Sequence, residues 1–306
     1  MVKVTLLQSS ISYVTGTPIY TFMLEYPRVA HAHVLTHRAF SKNSSSTRAV
    51  PVEVAIQQLI ADPAQYIWTG KQKGMAGAHL DDPVILRAAQ VNHNEAMYNA
   101  ITSARMQDML GIHKQNAGRY LEPFQNIRVV LTGTEFDNFT WLRDHTDTQP
   151  ETAELARGIK DAIADAEPMM IYEGEYHVPF IDRHRNEGGS MVYTLDGDEL
   201  TLEDALIISQ SCCAQTSYRK LDKTMSKADN IAGMLQNGDR LHSSPYEHQA
   251  TPIPDFDDPD GVTQTWPEGV THMDRDYVYW SGNFKDFIQY RQLMPKHDPS
   301  KSWVNK

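Results

Sequence analysis

The segment from Thr36 to Pro51 is the part of the chain best supplied with side chains that could hold a ligand. It reads Thr-His-Arg-Ala-Phe-Ser-Lys-Asn-Ser-Ser-Ser-Thr-Arg-Ala-Val-Pro. Hydroxyl, amide and guanidinium donors of this kind bind phosphates and other oxygen-rich groups. The composition fits a polar surface loop equally well, because clusters of serine, threonine and asparagine usually mark loops. The choice between the two interpretations depends on the rest of the chain.

Two isolated arginines, Arg119 and Arg143, lie further along the chain in segments with helical periodicity. An arginine that faces a core is costly unless it is paired. Each is therefore either half of a structural ion pair or part of a clamp for a phosphate or an imide, which a guanidinium binds with two parallel hydrogen bonds. The residues alone leave both alternatives open.

Several common sites are not predicted. The chain has no Gly-x-Gly-x-x-Gly and no Gly-x-x-x-x-Gly-Lys-Ser, so neither a Rossmann domain nor a P-loop is expected. His31 and His33 fall on different faces of a helix, and His242 and His248 lack partners at metal spacing, so no metal site is expected. The serine run 44–46 lacks a nucleophile elbow. The residues indicate a binder of an anionic ligand, or an enzyme acting on one, of mixed α/β build.

The composition fits a soluble globular protein, with 306 residues of which 41% are hydrophobic and 22% charged. No apolar run approaches the roughly 18–20 residues of a membrane helix, and the N-terminus is typical of an opening strand rather than a signal peptide. A net charge of −11 argues against a nucleic acid polymer as partner. The adjacent Cys212 and Cys213 cannot support a disulfide framework, so we expect two buried thiols and a cytoplasmic location.

Hydrophobic periodicity predicts the elements that must position these residues. One long helix begins at Asp82-Pro83, an N-cap acid followed by proline, and runs to about Leu110. Its predicted apolar side comprises Ile85, Ala88, Ala89, Ala96, Ala100 and Ile101. Strands are predicted over Val4–Leu7, Ile19–Leu24 and Ile127–Thr132. Further helices are predicted over 28–35, 51–61, 114–121, 136–143, 152–163, 201–211 and 228–235.

The remaining segments have weaker patterns, and we expect one domain over residues 1–306. Residues 167–200 are rich in Gly, Tyr, Pro and acids and indicate a connecting excursion that holds a short hairpin. Its Arg183-His184-Arg185 is interpreted as an exposed basic triplet. Residues 253–275 are predicted to be a loop-like insertion, since Pro and Asp dominate them. Residues 277–280 and 284–293 suggest a last strand or strand–helix.

Three separated blocks together resemble the flavin-dependent thymidylate synthases. The first is Thr36-His37-Arg38, seven residues, then Ser46 and Arg48, similar to the family's Arg-His-Arg motif. The second is Gly118-Arg119-Tyr-Leu-Glu-Pro123, followed by Asp137-Asn138-Phe-Thr-Trp-Leu-Arg143 and Asp147-Thr-Gln149-Pro-Glu151. The third is Cys213-Ala-Gln-Thr-Ser217-Tyr218, followed by His242-Ser-Ser-Pro-Tyr-Glu247-His248.

In that family the third block comes first, whereas here it comes last. The order predicts a circular permutant in which residues 167–200 join the old termini, which is tolerated where termini lie close at the surface. The resemblance implies a thymidylate synthase-complementing-protein-like α+β fold with a mixed or antiparallel sheet and long helices. It also implies a homotetramer whose active sites are shared between subunits.

The implied reaction is the methylation of dUMP at C5. Methylenetetrahydrofolate would supply the carbon, FAD the hydride and NADPH the electrons that reduce the flavin, so the cofactor carries the hard chemistry. Arg143 matches the residue that polarises the pyrimidine, as both a catalytic and a substrate-binding group. The flavin positions match His37, Arg38, Asn43, Asn138, Ser217, His242, Ser244 and Glu247. The nucleotide positions match Ser46, Arg48, Arg119 and His33.

Four positions depart from the family pattern. Thr36 replaces the first arginine of the motif, Ser44 a glutamate, Thr47 a glycine and His33 a glutamine. The loss of one cation and one anion together is either a compensated swap or a sign of altered chemistry. The alternatives are a related pyrimidine-nucleotide enzyme, which methylates or hydroxymethylates dUMP or dCMP, and a catalytically inactive nucleotide-binding homologue.

Overall fold

A five-stranded sheet lies at the centre of the fold in the computed structural model, which describes residues 2–74, 77–218, 220–237, 241–256 and 266–295. Its strands are β1 (Lys3–Ser12), β2 (Pro18–Pro27), β3 (Ser41–Ser44), β4 (Asn126–Gly133) and β5 (Met169–Ile171). They run in the order β3-β4-β2-β1-β5, and every neighbouring pair is antiparallel except β1 and β5. The three predicted strands are confirmed, and each is longer than its apolar run.

Alternation along β2 gives the sheet two different faces. Phe22, Leu24 and Tyr26 are fully buried on one face, where they pack with Leu155 of a later helix in the main apolar core. Thr21 precedes Phe22, so its side chain points to the other face. The first face supplies hydrophobic stabilisation, and the second face can hold polar groups.

Eight α-helices surround the sheet within the described residues. They are α1 (His31–Leu35), α2 (Val52–Ala61), α3 (Pro83–Met109), α4 (Lys114–Ala117), α5 (Asp137–Arg143), α6 (Pro150–Ala164), α7 (Leu202–Ala214) and α8 (Met225–Gln236). Short 3-10 turns cover Arg28–Ala30, Thr47–Ala49, Gly118–Phe124, Gln215–Ser217, Ser244–Glu247 and Tyr290–Leu293. The predicted start of α3 is confirmed, because the Asp82 carboxylate accepts the backbone N–H of Val84 at 2.8 Å. No helix of the described chain is both long and apolar enough to cross a bilayer.

The predicted apolar side of α3 is wrong except at Ile101. The buried residues are Met97, Ile101 and Ala104, whereas Ile85 is half-exposed and Ala88 is exposed. Met97, Ile101 and Ala104 pack in one cluster with α2 and with the segment that follows α4. Periodicity identifies the faces of a helix, but only the tertiary fold decides which stretch of a face finds a neighbour.

The predicted hairpin in residues 167–200 is confirmed and belongs to a three-stranded antiparallel sheet. This sheet consists of β6 (Asp182–Arg185), β7 (Met191–Leu195) and β8 (Asp198–Leu200). The exposed basic triplet is wrong: Arg183 donates to the carbonyls of Tyr176 and Ser9, both at 3.1 Å. Arg185 pairs with Glu175 at 2.7 Å. Arg183 and Arg185 donate to backbone carbonyls of β1 and β5. The segment 167–200 is therefore hydrogen bonded to the central sheet. The circular permutation stays a prediction.

The C-terminal part confirms the predicted strand–helix. Its strands are β9 (Ala250–Pro252), β10 (His272–Met273), β11 (Tyr279–Ser281), β12 (Phe284–Lys285) and β13 (Phe287–Gln289). The loop predicted for 253–275 falls partly on 257–265, outside the described residues; 253–256 are irregular, and β10 is a short strand in the remainder. Cys212 and Cys213 are buried and free, as predicted, and burial raises the pKa of both thiols.

Candidate functional site

The first and third sequence blocks meet at the edge of the central sheet. β3 is an edge strand, and the turn Gln215–Ser217, which follows α7, packs beside it. The Asn43 side-chain amide donates to the carbonyl of Cys213 at 3.1 Å, and the backbone N–H of Ser46 donates to the Ser217 hydroxyl at 2.9 Å. Residues about 170 positions apart in the sequence are thereby held within hydrogen-bond distance. Their convergence was implied by the resemblance.

The second block joins the same site through Glu122. Its carboxylate accepts hydrogen bonds from the Thr47 hydroxyl at 3.1 Å and from the Arg119 guanidinium at 3.0 Å. Thr47 follows Ser46, whose side chain caps the next turn by accepting the N–H of Arg48 at 3.3 Å. Arg119 keeps 62% of its side chain exposed, so its remaining donors can reach a ligand.

Arg143 lies at the end of α5, against the first block. Its Nε donates to His37 Nε2 at 2.8 Å, and its Nη2 donates to the Thr36 hydroxyl at 3.3 Å. A guanidinium only donates, so His37 Nε2 must carry a lone pair and the ring is neutral. Burial, reinforced by Arg143 and Lys42, lowers the pKa of His37. Two neutral acceptors therefore orient Arg143 and leave its positive charge uncompensated.

Lys42, beside His37, lies in a cluster of charged side chains with Glu247 and Arg291. The Lys42 ammonium donates to the carbonyl of His37, and Glu247 accepts from Arg291. Burial lowers the pKa of Lys42 to about 8, against the opposing effect of Glu247. Burial also raises the pKa of Glu247, although Arg291 and Lys42 act in the other direction. Glu247, a predicted flavin contact, is thus tied to cations of its own chain.

Six predicted site residues are not drawn into this network. Their side chains are exposed and make no hydrogen bond or ion pair with the rest of the described chain. They are His33, Arg38, Arg48, Asn138, His242 and Ser244. Their roles as ligand contacts stay predictions. An exposed side chain is accessible to a ligand or to another subunit, but no contact within the described chain fixes its position.

A cleft of about 250 Å³ opens where the first and third blocks meet. Ser46 and Ser217, two predicted ligand contacts, line the cleft. Arg28 and Arg128, which sequence reasoning missed, line it too. Arg28 follows the end of β2, and Arg128 is the lone cation in the β-branched run of β4. An arginine inside a strand that otherwise reads as core was the signal available for Arg128. Arg28 gave none, because its segment resembles an ordinary helix start.

The departures Thr36 and Ser44 both have defined contacts. Ser44 hydrogen bonds to His31 Nε2 at 3.2 Å, and His31 Nδ1 hydrogen bonds to the Tyr26 hydroxyl at 2.8 Å. Burial, with Arg28 and Lys42 nearby, lowers the pKa of His31 to about 4. A neutral chain of hydroxyl, imidazole and phenol groups thus stands where the resemblance places a carboxylate. Thr36 likewise meets Arg143 as a neutral acceptor.

The donors at this edge fit a flavin chemically but do not enclose one. Arginine, asparagine and serine side chains suit a pyrophosphate and the polar edge of a ring. The cleft, however, is smaller than the roughly 300–1,000 Å³ of pockets that enclose drug-sized ligands. The described residues of one chain therefore do not enclose a ligand of dinucleotide size. Within the described residues, no three His, Cys, Asp or Glu side chains gather as a metal would require.

Comparisons with known proteins give low likenesses to solved structures. No protein-family model matches the chain, and no curated protein matches it. Among solved structures it is similar to the UMP/dUMP methylase PolB from Streptomyces cacaoi bound with 5-Br UMP, at 16% identity and a TM-score of 0.43, over 56% of this chain and 90% of that chain. The same enzyme bound with 5-Br dUMP gives 17% identity and a TM-score of 0.43, over 56% and 91%. A likeness this low shows neither the family nor the function of this chain.

Proposed function

We propose that the chain is a flavin-dependent thymidylate synthase, which methylates dUMP at C5 using methylenetetrahydrofolate, FAD and NADPH. The observation that carries the proposal is the convergence of all three sequence blocks at one sheet edge. Ser46 meets Ser217, and Arg143 meets His37, although each pair is more than 100 residues apart. Motifs that matched by chance would have no reason to share hydrogen bonds.

Arg143 is the proposed catalytic residue. Negative charge develops on a pyrimidine carbonyl as C5 becomes nucleophilic, and a preorganised cation stabilises that charge. His37 and Thr36 hold the guanidinium without neutralising it, because both accept as uncharged groups. The hydrogen bonds from Arg143 to His37 and Thr36 thus orient the guanidinium, and its positive charge is available to the substrate.

The proposed flavin contacts lie around Lys42 and on the exposed surface nearby. His37, Asn43, Ser217 and Glu247 would line the buried side of the cofactor. Arg38, Asn138, His242 and Ser244 would bind its exposed portion. When bound, the reduced flavin supplies the hydride. The protein's own contribution is to bind and orient the nucleotide beside it, with Ser46, Arg48, Arg119 and His33 as the proposed nucleotide contacts.

A homotetramer with shared sites is part of the proposal. Within the described chain, α3 leaves large apolar side chains exposed: Val84 is 76% exposed, Tyr98 58% and Met109 82%. Exposed apolar patches larger than a few hundred Å² mark protein–protein interfaces, and these side chains all lie on one helix. A neighbouring subunit packed on α3 would bury it, and a subunit bordering the sheet edge would close the incomplete cofactor site.

A second candidate is a pyrimidine-nucleotide enzyme with a different base or product, such as one that methylates or hydroxymethylates dUMP or dCMP. It is favoured by one observation: Ser44 belongs to a neutral hydrogen-bonded chain with His31 and Tyr26 instead of presenting a carboxylate. A neutral group that can both donate and accept places different demands on the base edge than an anion does.

One preparation tests both candidates. Purified chain, supplemented with FAD, is incubated with methylenetetrahydrofolate, NADPH and either dUMP or dCMP, and the product is identified by mass. Thymidylate from dUMP supports the first proposal, whereas a hydroxymethylated product or a reaction of dCMP supports the second. A chain that binds no flavin contradicts both and leaves the inactive nucleotide-binding homologue, which dUMP binding alone would support.

A further inference from the structure

The cleft contains an arginine, Arg28, whose donors the described residues satisfy only in part. Arg28 is half-buried, and its Nη2 donates to the carbonyl of Ser45 at 3.3 Å. Its Nε is shielded from solvent and has no acceptor among the described residues. A buried donor without an acceptor costs free energy, and the cost is larger for a charged group. An acceptor from outside the described chain would remove that cost.

The nearby carboxylates are already engaged. Glu122 accepts from Arg119 and Thr47, and Glu25 lies 3.8 Å from Arg128 and 3.9 Å from Lys3. Arg28 forms no ion pair with any described residue. Burial lowers its pKa, and the charge of Arg119 adds to this effect while Glu122 opposes it. Asp62, which lines the cleft together with Glu25, accepts from the Asn126 amide at 3.2 Å. Among the described residues, Arg28 is therefore the cleft guanidinium without an ion pair, whereas Arg128 lies beside Glu25.

Arg128 supplies a second guanidinium to the cleft. Arg28 and Arg128 both contact Ser45, because Arg28 donates to its carbonyl and the backbone N–H of Arg128 donates to its hydroxyl. The Nη1 of Arg128 donates to the carbonyl of Tyr218 at 3.3 Å. Its buried Nε has no hydrogen-bond partner among the described residues and lies 3.8 Å from the Glu25 carboxylate, an ion pair too long for a hydrogen bond. The Ser217 hydroxyl accepts from Ser46 and retains its own proton to donate. Two guanidiniums and a hydroxyl around one small cavity match the acceptor-rich surface of a phosphate.

We propose that Arg28 and Arg128 bind the phosphate of the mononucleotide substrate, as contacts additional to those that the motif blocks carry. The identity of the ligand as a pyrimidine nucleotide rests on the proposed function, whereas the preference for a phosphate rests on the cleft itself. A dinucleotide cofactor also carries phosphate, but Ser46, a proposed substrate contact, lies in this cleft. The small volume likewise favours the mononucleotide.

Titration calorimetry with the full chain tests the proposal. Arg28→Met and Arg128→Met should each weaken dUMP binding by about 10- to 100-fold, the usual range for a lost charged hydrogen bond. Deoxyuridine, which lacks the phosphate, should bind the wild type and the variants equally, and so should FAD. The matched control is Arg105→Met, since Arg105 pairs with Glu53 at 2.9 Å on the exposed surface. Arg28→Lys keeps the positive charge but loses the two parallel N–H donors of the guanidinium. Its affinity for dUMP should therefore lie between those of the wild type and Arg28→Met.

The outcomes separate the two proposals. If the wild type binds dUMP and neither methionine variant weakens it, the phosphate site is overturned and the proposed function stands. If the methionine variants weaken the binding of FAD but not of dUMP, the phosphate site is also overturned. If the wild type does not bind dUMP, the proposed function fails; inorganic phosphate then decides, because it should raise the melting temperature of wild type but not of Arg28→Met. If inorganic phosphate does not raise the melting temperature of the wild type, the inference is overturned. Should Arg28→Met fail to fold by circular dichroism, Arg28→Lys and Arg128→Met replace it in both assays.

Discussion

The cleft around Arg28 contrasts with a buried polar chain on the hidden face of the central sheet. In that chain His177 Nδ1 hydrogen bonds to Ser10 at 2.7 Å, and its Nε2 hydrogen bonds to Thr21 at 2.8 Å. Thr21 meets Thr132 at 2.7 Å, and Thr132 meets His248 Nδ1 at 2.8 Å. All five side chains are fully or almost fully buried. Alternation along the strands places their hydroxyls on the face opposite the apolar core.

The two regions handle buried polar groups in opposite ways. The buried chain satisfies its members with one another, and the only ring nitrogen in it without a partner among the described residues is Nε2 of His248. The cleft leaves the Nε–H groups of Arg28 and Arg128 without a hydrogen-bond acceptor in the part of the chain that the structure describes. Closed networks stabilise a fold, whereas open donors beside a cavity are expected to serve a ligand. Variants in the site should therefore affect function, and variants in the buried chain should affect stability.

The largest expected effect is at the proposed catalytic residue. Arg143→Ala should lower the turnover of dUMP about 10³-fold, the scale of losing one electrostatic contact to the transition state. Its free energy of unfolding should change by less than about 1 kcal/mol, because the side chain is partly exposed. Steady-state kinetics and urea denaturation measure the two effects, with Arg105→Ala as the matched control. Wild-type activity in Arg143→Ala would refute its role.

The next effect tests the other side of the contrast. His177→Ala should lower the free energy of unfolding by about 3 kcal/mol, because it leaves Ser10 and Thr21 buried without their shared partner and opens a cavity. Urea denaturation measures the loss, and calorimetry at low temperature should find dUMP affinity unchanged. His184→Ala is the control, since His184 is exposed on β6. Equal stability of the two variants would show that the buried chain is not structural.

The smallest of the three effects is a dependence of stability on pH. Burial lowers the pKa of His248 to about 3 and that of His177 well below its usual value. Between these values and about 6.5 the unfolded chain binds more protons, so stability falls as pH falls. From pH 6.5 to 5.5 each histidine should cost about 1 kcal/mol. Urea midpoints at the two pH values measure the loss.

His177→Ala is the matched test for the pH effect. Its stability should decline less steeply with pH than that of the wild type, because one of the two buried imidazoles is gone. His184→Ala should retain the wild-type slope. A wild-type midpoint that does not change over this interval would contradict the neutral, buried state of both rings, and the contrast with the cleft would weaken accordingly.

Local patterns predicted much of the fold because their causes are local. The N-cap at Asp82, the strand 127–132 and the turn of helix after Pro51 follow from residues within a few positions of each other. The resemblance of three blocks brought Ser46, Ser217 and Arg143 into one proposed site. The roles of those residues and the circular permutation remain predictions, since hydrogen bonds show proximity but not turnover.

The errors all concern contacts between distant segments. Arg183 was interpreted as exposed, but it donates to Ser9, 174 positions away. Ile85 is predicted to lie on a buried face, but the buried residues of α3 that pack with α2 are Met97, Ile101 and Ala104. Neither partner can be identified from neighbouring residues, because burial depends on which elements the fold brings together.

The sequence by itself determined the alternation of the strands, the helix starts and the supply of arginine, serine and histidine. Only the tertiary structure decided which of those polar groups satisfy each other and which do not. His177 and Arg183 have hydrogen-bond partners from distant segments, whereas the Nε of Arg28 has no acceptor among the described residues. The physical reason is that a hydrogen bond needs a partner within about 3 Å, and for a buried side chain that partner is placed by packing rather than by sequence position.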